Sequence, residues 1–193
     1  MEIEMLTKQQ IKQIYQNHLV NDFPANERRP LRAILKSMRR DTYICYGLTD
    51  GGELMAYAFF VRQGRDYLLD YFAAVEGKRA SGYGSVFLRM LRKELIDAEY
   101  VLAEVEEPDS AQDEIEKETR TRRIRFYERA GFADTGVRAR TFGVDYRIIG
   151  TQAKNRFEKA RICELYVALY SKAMPKFLCR REVKPWIPGA NGG

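Results

Sequence analysis

Histidine and cysteine are scarce in this sequence. It has one histidine, His18, and three cysteines, Cys45, Cys163 and Cys179, and no two cysteines stand at CxxC spacing. A Cys/His zinc site therefore lacks enough ligands. A Ser-His-Asp triad would have to use His18 in a chain that has no nucleophile elbow. We expect no metal cofactor, and the odd number of cysteines favours a reducing, cytoplasmic setting.

Long apolar stretches are also missing. The longest, Leu54–Val61, has eight residues, whereas a membrane helix needs roughly 20. The N-terminus, MEIEMLTKQQ, contains neither the basic region nor the apolar segment of a secretory signal. The sequence therefore predicts no contact with a membrane.

The excess of positive charge is confined to one end of the chain. The 193 residues carry a formal net charge of +6. Residues 151–193 hold nine Lys or Arg and three Asp or Glu, which leaves 24 of each kind in residues 1–150. This distribution argues against a basic surface over the whole fold, so we do not expect a nucleic-acid partner. A nucleic-acid-binding domain that uses the basic C-terminal tail stays open as an alternative.

Hydrophobic periodicity predicts strands and helices in the order β-αα-βββ-α-β-α-ββ, followed by one more helix. The predicted strands are a short one at Ile3–Met5, then Thr42–Leu48, Glu53–Arg62, Tyr67–Val75, Tyr100–Val105, one that begins at Phe132, and Phe142–Ile149. The predicted helices run from the Thr7 cap to Phe23, from Asn26 or Glu27 with Pro30 in the first turn, and over Gly82–Ala98, Thr121–Ala130 and Ala153–Ala173. The acidic stretch from Glu104 to Glu118 reads as a solvated loop, or as a group of carboxylates that attracts a cationic amine. Antiparallel hairpins around one strand-helix-strand crossover predict an α/β (α+β) sandwich.

The segment between the third apolar strand and the next helix has the pattern of a phosphate-binding loop. It reads Lys78-Arg79-Ala80-Ser81-Gly82-Tyr83-Gly84-Ser85. Glycines allow a ligand to approach the backbone closely, and the N–H groups at the start of a helix attract anions. The alternative is an ordinary strand-helix turn whose glycines only permit close packing.

Two segments resemble the GNAT superfamily of acyl-CoA-dependent N-acyltransferases. Arg79–Gly84, RASGYG, matches the Gln/Arg-x-x-Gly-x-Gly/Ala signature of that family. Arg125–Phe132, RFYERAGF, is similar to its FYxxxGF segment, and one predicted strand lies between the two. The resemblance covers roughly residues 1–150.

The resemblance implies a mixed, mostly antiparallel central sheet flanked by helices, with a C-terminal helical extension. Residues 1–150 would form the acyltransferase domain, and residues 151–193 an amphipathic helix and basic tail packed on the same domain. It also implies acetyl-CoA as co-substrate, an amine as acceptor, and a homodimer as one possible assembly. The pyrophosphate would lie on the loop from Lys78 to Ser85, and the pantetheine arm along the main chain of Phe72, Ala73, Ala74 and Val75.

The resemblance also suggests the groups that act on the thioester. Tyr127 matches the family tyrosine that protonates the sulfur of CoA, a credible role because a phenol has a pKa of ~10. The alternative is a core aromatic residue. A main-chain N–H near Ala74 would polarise the thioester carbonyl.

Three carboxylates are candidates for the general base: Glu104 and Glu106, which share one face of a strand, and then Asp70 on the preceding strand. Burying a carboxylate without a use is costly. Each of the three could instead be satisfied by an arginine, and many family members use a water-mediated base or none.

The family's first two helices usually form the acceptor side of the cleft, so Phe23, Glu27 and Arg29 would face the substrate. The resulting prediction is an N-acetyltransferase that transfers acetyl from acetyl-CoA to an amine by direct attack in a ternary complex. One alternative is a GNAT-fold protein that binds acyl-CoA without turnover, as a sensor or interaction module.

Overall fold

The computed structural model describes residues 1–25, 27–79, 81–152 and 157–189. The chain divides into two compact units, the first made of Met1–Arg62 and Leu69–Ile96, the second of Gln63–Leu68 and Asp97–Gly193. The predicted boundary at residue 150 stays a prediction.

The first unit carries the strands β1 (Glu2–Met5) and β2 (Tyr43–Asp50), all of β3 (Glu53–Gln63) except its last residue, and β4 (Asp66–Ala74) from Leu69 onward. The four strands are neighbours in that order. Antiparallel pairing joins β1 to β2 and β2 to β3. The two residues Gly64 and Arg65 connect β3 to β4, and so short a connection fits only an antiparallel hairpin.

Four helical segments complete the first unit: α1 (Lys8–Ile14), which continues through a π-helical turn (Tyr15–Leu19) into α2 (Val20–Asp22), then α3 (Leu31–Met38) and α4 (Tyr83–Glu94). Thr7 caps α1 as predicted, because its side chain accepts the N–H of Gln10. The predicted start of α3 at Asn26 or Glu27, with Pro30 inside the first turn, is wrong: Pro30 directly precedes the helix with an extended ψ of 133°. Asn26 itself lies outside the described residues.

The second unit carries β5 (Tyr100–Glu106), β6 (Ala133–Thr141), β7 (Val144–Gln152) and β8 (Val183–Trp186). Their order is β5-β7-β6-β8, and each neighbouring pair is antiparallel. The sequence did not predict β8, in which Val183 lies opposite Thr141.

The helices of the second unit are α5 (Glu114–Arg129), α6 (Lys159–Ala173) and α7 (Lys176–Glu182). The prediction of a solvated loop up to Glu118 is wrong for Glu114–Glu118, which form the first turn of α5. Asp113 caps this turn by accepting the N–H of Glu116 (2.7 Å), and acidic residues are favourable at the positive end of a helix. Residues 153–156, where the last predicted helix was to begin, lie outside the described residues.

Helix α6 has the predicted amphipathic character, since Ile162, Leu165, Tyr166 and Leu169 on one side of it are fully buried. The element order is the predicted one with α7 and β8 added, and the architecture is the predicted mostly antiparallel sheet flanked by helices. None of the described helices has both the length and the apolar character that crossing a membrane requires.

Candidate active site

The loop after β4 is shaped by two residues in the left-handed region. The N–H of Val75 still bonds the carbonyl of Met55 on β3 (2.9 Å), and the chain then turns, with Lys78 N–H bonding the Val75 carbonyl (2.9 Å). Gly77 has φ +80° and Gly82 has φ +82°, a region that favours glycine. Both the turn and the entry into α4 therefore need these two glycines.

No side chain caps the N-terminus of α4, the helix that follows this loop. Gly82 occupies the N-cap position without a side-chain capping bond, and the first turn holds no acidic residue. The first-turn N–H groups of a helix have no carbonyl partner within it. A Cβ built on Gly82 would meet no described atom within 4 Å. The loop thus has the space and the polarity to receive an anion.

Packing fixes α4 to the strand before the loop. The ring of Phe72 on β4 stacks on that of Phe87 on α4, with 5.8 Å between centroids. Phe87 is fully buried. Phe72, Ala73, Ala74 and Val75, the predicted pantetheine contacts, are all half-buried.

Both predicted cations of the loop take part in ion pairs. Lys78 Nζ lies 3.1 Å from Glu53 Oε2, and Arg79 pairs with Asp22. Ser81 and Gly82 are exposed, while Tyr83, Gly84 and Ser85 are half-buried. Ala80 lies outside the described residues.

Asp70 is the carboxylate of a buried ion pair in the first unit. Its Oδ2 accepts Nε–H of Arg29 (2.7 Å) and the hydroxyl of Tyr43, and the two charged side chains are only 8% and 12% exposed. Burial and, after it, the charge of Asp70 raise the pKa of Tyr43 well above its ordinary value. The alternative of a carboxylate satisfied by arginine is the arrangement that Asp70 adopts.

The predicted acceptor-side residues gather around Tyr71. Its hydroxyl donates to the carbonyl of Glu27 (2.9 Å) and accepts the N–H of Arg29 (2.6 Å). The Phe23 ring meets the Tyr71 ring edge to face, with centroids 4.9 Å apart, and Tyr15 donates to the Arg29 carbonyl (3.0 Å). The structure thus brings Phe23, Glu27 and Arg29 together on one tyrosine.

Tyr127 lies on α5 in the second unit. Its ring makes edge-to-face contacts with Phe126 (5.3 Å) and Phe132 (5.4 Å). Burial raises the pKa of Tyr127 to about 12, against a smaller opposing effect of Arg123. Like an ordinary phenol with a pKa of ~10, Tyr127 is protonated at neutral pH, and its raised pKa makes it the weaker acid of the two.

Glu104 lies beneath α6, the helix of the C-terminal extension. Tyr166 and Tyr170 both donate to its carboxylate, Tyr170 at 2.9 and 2.8 Å from the two oxygens. Burial and the charge of Glu104 raise the pKa of Tyr166 well above the ordinary range. The apolar periodicity of α6 revealed its buried face, but nothing in it signalled that its tyrosines would bind this carboxylate.

Glu106 pairs with arginines of α5. Arg120 lies 2.7 Å from one oxygen and Arg123 3.2 Å from the other. The Glu106 side chain is 29% exposed and that of Arg120 only 9%. The two glutamates that share a strand face therefore have different partners.

The second unit contains a cavity of about 220 Å³ next to the residues that come directly after β5. It is lined by Glu107, Asp109, Ser110, Arg138, Asp145, Tyr146 and Trp186. The sequence did not predict this cavity, because Trp186 lies on the unforeseen strand β8. Among the described residues, no group of three or more His, Cys, Asp or Glu side chains could hold a metal ion.

Comparisons with known proteins find similarity only at the level of structure. No protein-family model matches the sequence, and no curated protein matches it. A protein from Bacteroides thetaiotaomicron assigned to the GNAT family of acetyltransferases is 21% identical over 80% of this chain and 89% of its own, with a TM-score of 0.63.

Two further solved structures are similar. The ribosomal-protein-S18-alanine N-acetyltransferase of Escherichia coli is 18% identical over 81% of this chain and 96% of its own, with a TM-score of 0.59. An aminoglycoside 6′-N-acetyltransferase complexed with coenzyme A is 14% identical over 82% of this chain and 100% of its own, with a TM-score of 0.56. The chain therefore has the fold of the GNAT acetyltransferases.

Proposed function

We propose that this protein is an N-acetyltransferase that transfers an acetyl group from acetyl-CoA directly to an amine. The observation that carries the proposal is the loop between β4 and α4, where Gly77 and Gly82 hold the chain open in front of an uncapped helix N-terminus. This arrangement suits a pyrophosphate. The fold shared with known acetyltransferases supports the same assignment.

The roles in the reaction follow from this assignment. The loop amides from Lys78 to Ser85 bind the pyrophosphate, and the main chain of Phe72–Val75 pairs with the pantetheine arm. The N–H near Ala74 stabilises the developing oxyanion. Tyr127 donates its proton to the departing thiolate of CoA as the amine nitrogen bonds to the acetyl carbon and the C–S bond breaks.

The acceptor is an amine that attacks the thioester carbonyl carbon of acetyl-CoA in its deprotonated form. Phe23, Glu27 and Arg29 are the proposed contacts on the acceptor side. Glu104 and Glu106 are the first candidates to remove the ammonium proton, and Asp70 is the second.

A second candidate function is acyl-CoA binding without turnover. One observation favours it: tyrosines bind Glu104, two arginines pair with Glu106, and Arg29 pairs with Asp70. All three carboxylates thus already have partners within the protein, and this pairing favours binding of acyl-CoA without acyl transfer.

Thermal unfolding with acetyl-CoA, CoA and duplex DNA separates these functions from a nucleic-acid-binding domain. Ligand at about 100 times its Kd adds about 2.7 kcal/mol to the free energy of unfolding, so both CoA species should raise Tm while DNA does not. An unchanged Tm at millimolar CoA overturns both candidates. Thiol release from acetyl-CoA across a panel of amines then separates the enzyme from the binding module.

A matched pair of variants tests the place of the phosphate site. Gly82 and Gly52 have φ of +82° and +83°, and a Cβ on either would meet no described atom within 4 Å. Gly82→Glu and Gly52→Glu therefore both place a side chain at a left-handed φ with open space around it, but only the first sets a carboxylate against the pyrophosphate. Loss of CoA binding in Gly82→Glu alone supports the site, and equal binding by both variants places it elsewhere.

A further inference from the structure

The C-terminal end of the continuous helix that α1, the π-helical turn and α2 form is connected to the loop through a buried carboxylate. Asp22, the last residue of α2, has a side chain that is only 5% exposed. Its Oδ2 accepts the hydroxyl of Tyr57 on β3 (2.7 Å), and its Oδ1 pairs with Nη2 of Arg79. The Arg79 side chain is 60% exposed, so the pair runs from the interior to the surface of the loop.

A buried carboxylate is retained at a cost unless it is paired and hydrogen-bonded. The Tyr57 partner is fully buried, and its pKa is raised by burial first and then by its hydrogen bond to Asp22. Tyr57 therefore stays a neutral donor that fixes Asp22 from inside. Arg79 is the exposed end of this group of three side chains.

We propose that Asp22 is a positioning residue for acetyl-CoA: it holds one edge of the Arg79 guanidinium so that the other N–H groups face the pyrophosphate. Arginine has five donors in a rigid fork, and the contact with Asp22 uses one nitrogen. A side chain ordered before binding loses less conformational entropy when the ligand arrives. The inference rests on the proposed function, because it presumes a phosphate ligand at this loop.

The second ion pair of the loop has an exposed carboxylate instead of a buried one, so it provides a control. Lys78 pairs with Glu53, whose side chain is 64% exposed. Exposed pairs contribute little to the order of either partner. Glu53→Gln therefore removes a carboxylate from the same loop without removing a buried anchor.

The first test compares the affinity of each variant for two acyl donors, acetyl-CoA and S-acetylpantetheine, which lacks the pyrophosphate. Releasing one long side chain corresponds to a loss of about three- to tenfold in affinity. Asp22→Asn should raise the Kd of acetyl-CoA by that factor and leave the Kd of S-acetylpantetheine unchanged. Glu53→Gln should change neither value.

The second test separates positioning from stability. Arg79→Gln leaves the buried Asp22 without its cation and should lower Tm by roughly 6 °C or more. Adding Asp22→Asn removes the unpaired charge and should recover most of that loss. The double variant should nevertheless bind acetyl-CoA as weakly as Arg79→Gln, because the guanidinium is still absent.

The outcomes distinguish this inference from the proposed function. A wild-type protein that binds neither donor overturns the proposed function and the inference with it. Two results overturn the inference alone, provided that the wild-type protein binds acetyl-CoA. In the first, Asp22→Asn and Glu53→Gln have the same Kd for acetyl-CoA. In the second, Asp22→Asn raises the Kd of acetyl-CoA and the Kd of S-acetylpantetheine by the same factor. If Asp22→Asn does not fold, Arg79→Lys carries the test: it keeps the charge but lacks the fork, and wild-type affinity for acetyl-CoA in this variant overturns the proposal.

Discussion

The ion pair between Arg29 and Asp70 offers a direct measure of how the acceptor-side segment is held. Replacing Arg29 by methionine keeps the aliphatic part of the side chain and removes the guanidinium. Asp70 would then keep the hydroxyl of Tyr43 but lose the cation 2.7 Å from its Oδ2. Since the Asp70 side chain is only 8% exposed, water cannot replace that cation easily.

The magnitude follows from this burial. Breaking a buried ion pair by removing one partner costs about 3–5 kcal/mol, because a charge is left uncompensated. Arg29→Met should therefore lower the free energy of unfolding by that amount. Adding Asp70→Asn removes the stranded charge, so the double variant should be more stable than Arg29→Met alone.

Urea denaturation followed by circular dichroism measures both values. Arg62→Met is the control, since its partner Asp41 is 81% exposed and loss of such a pair changes stability by about 1 kcal/mol or less. A loss below about 1 kcal/mol for Arg29→Met would refute the view that burial makes this pair important. Further destabilisation by Asp70→Asn in the Arg29→Met background would refute the stranded-charge explanation.

Three further predictions concern the second unit. Tyr127→Phe should lower kcat by about 10²- to 10⁴-fold and leave the Kd of acetyl-CoA nearly unchanged, with Tyr100→Phe as control; equal turnover in both variants would exclude Tyr127 as the acid. Glu104→Gln should cost about 1–3 kcal/mol in urea denaturation, because an amide N–H₂ replaces an acceptor of two tyrosine hydroxyls; a large loss of kcat without a loss of stability would instead mark Glu104 as the base. Burial and, after it, the charge of Glu99 raise the pKa of Asp66 above its ordinary value of 3.8. The native state therefore keeps this proton to higher pH than the unfolded state does, and the free energy of unfolding falls as pH rises from the unfolded-state pKa to the native-state pKa. Asp66→Asn should remove this fall in denaturation curves recorded between pH 4 and 7, and an unchanged pH dependence would contradict it.

Local patterns were sufficient to predict most of the fold. Hydrophobic periodicity located the strands β1 to β7, and Thr7 caps α1 at the predicted position. The prediction was wrong where local signals competed. Glu114–Glu118 read as a solvated loop because of their charge, yet Asp113 caps them into a helix. The strand β8 is four residues long and contains Pro185, so it carries too weak a pattern to be predicted alone.

The candidate site was predictable in its residue types but not in its contacts. The glycines between β4 and α4 could be read directly, since a left-handed φ leaves few alternatives to glycine. The hydrogen-bond and ion-pair partners of the carboxylates could not be predicted from the sequence. Glu104 and Glu106 stand two residues apart on one strand face, yet one is bound by tyrosines of α6 and the other by arginines of α5.

The sequence by itself determined the order of strands and helices and the open loop before α4, because periodicity, caps and backbone conformation depend on residues close together in the chain. Only the tertiary structure decided that Asp22 pairs with Arg79, 57 residues away, and that Asp70 pairs with Arg29, 41 residues away. The physical reason is that these partners are far apart in the chain, and both their contact and their burial are properties of the assembled fold. The same rule applies to the chemistry, since the fold decides which carboxylates already have partners.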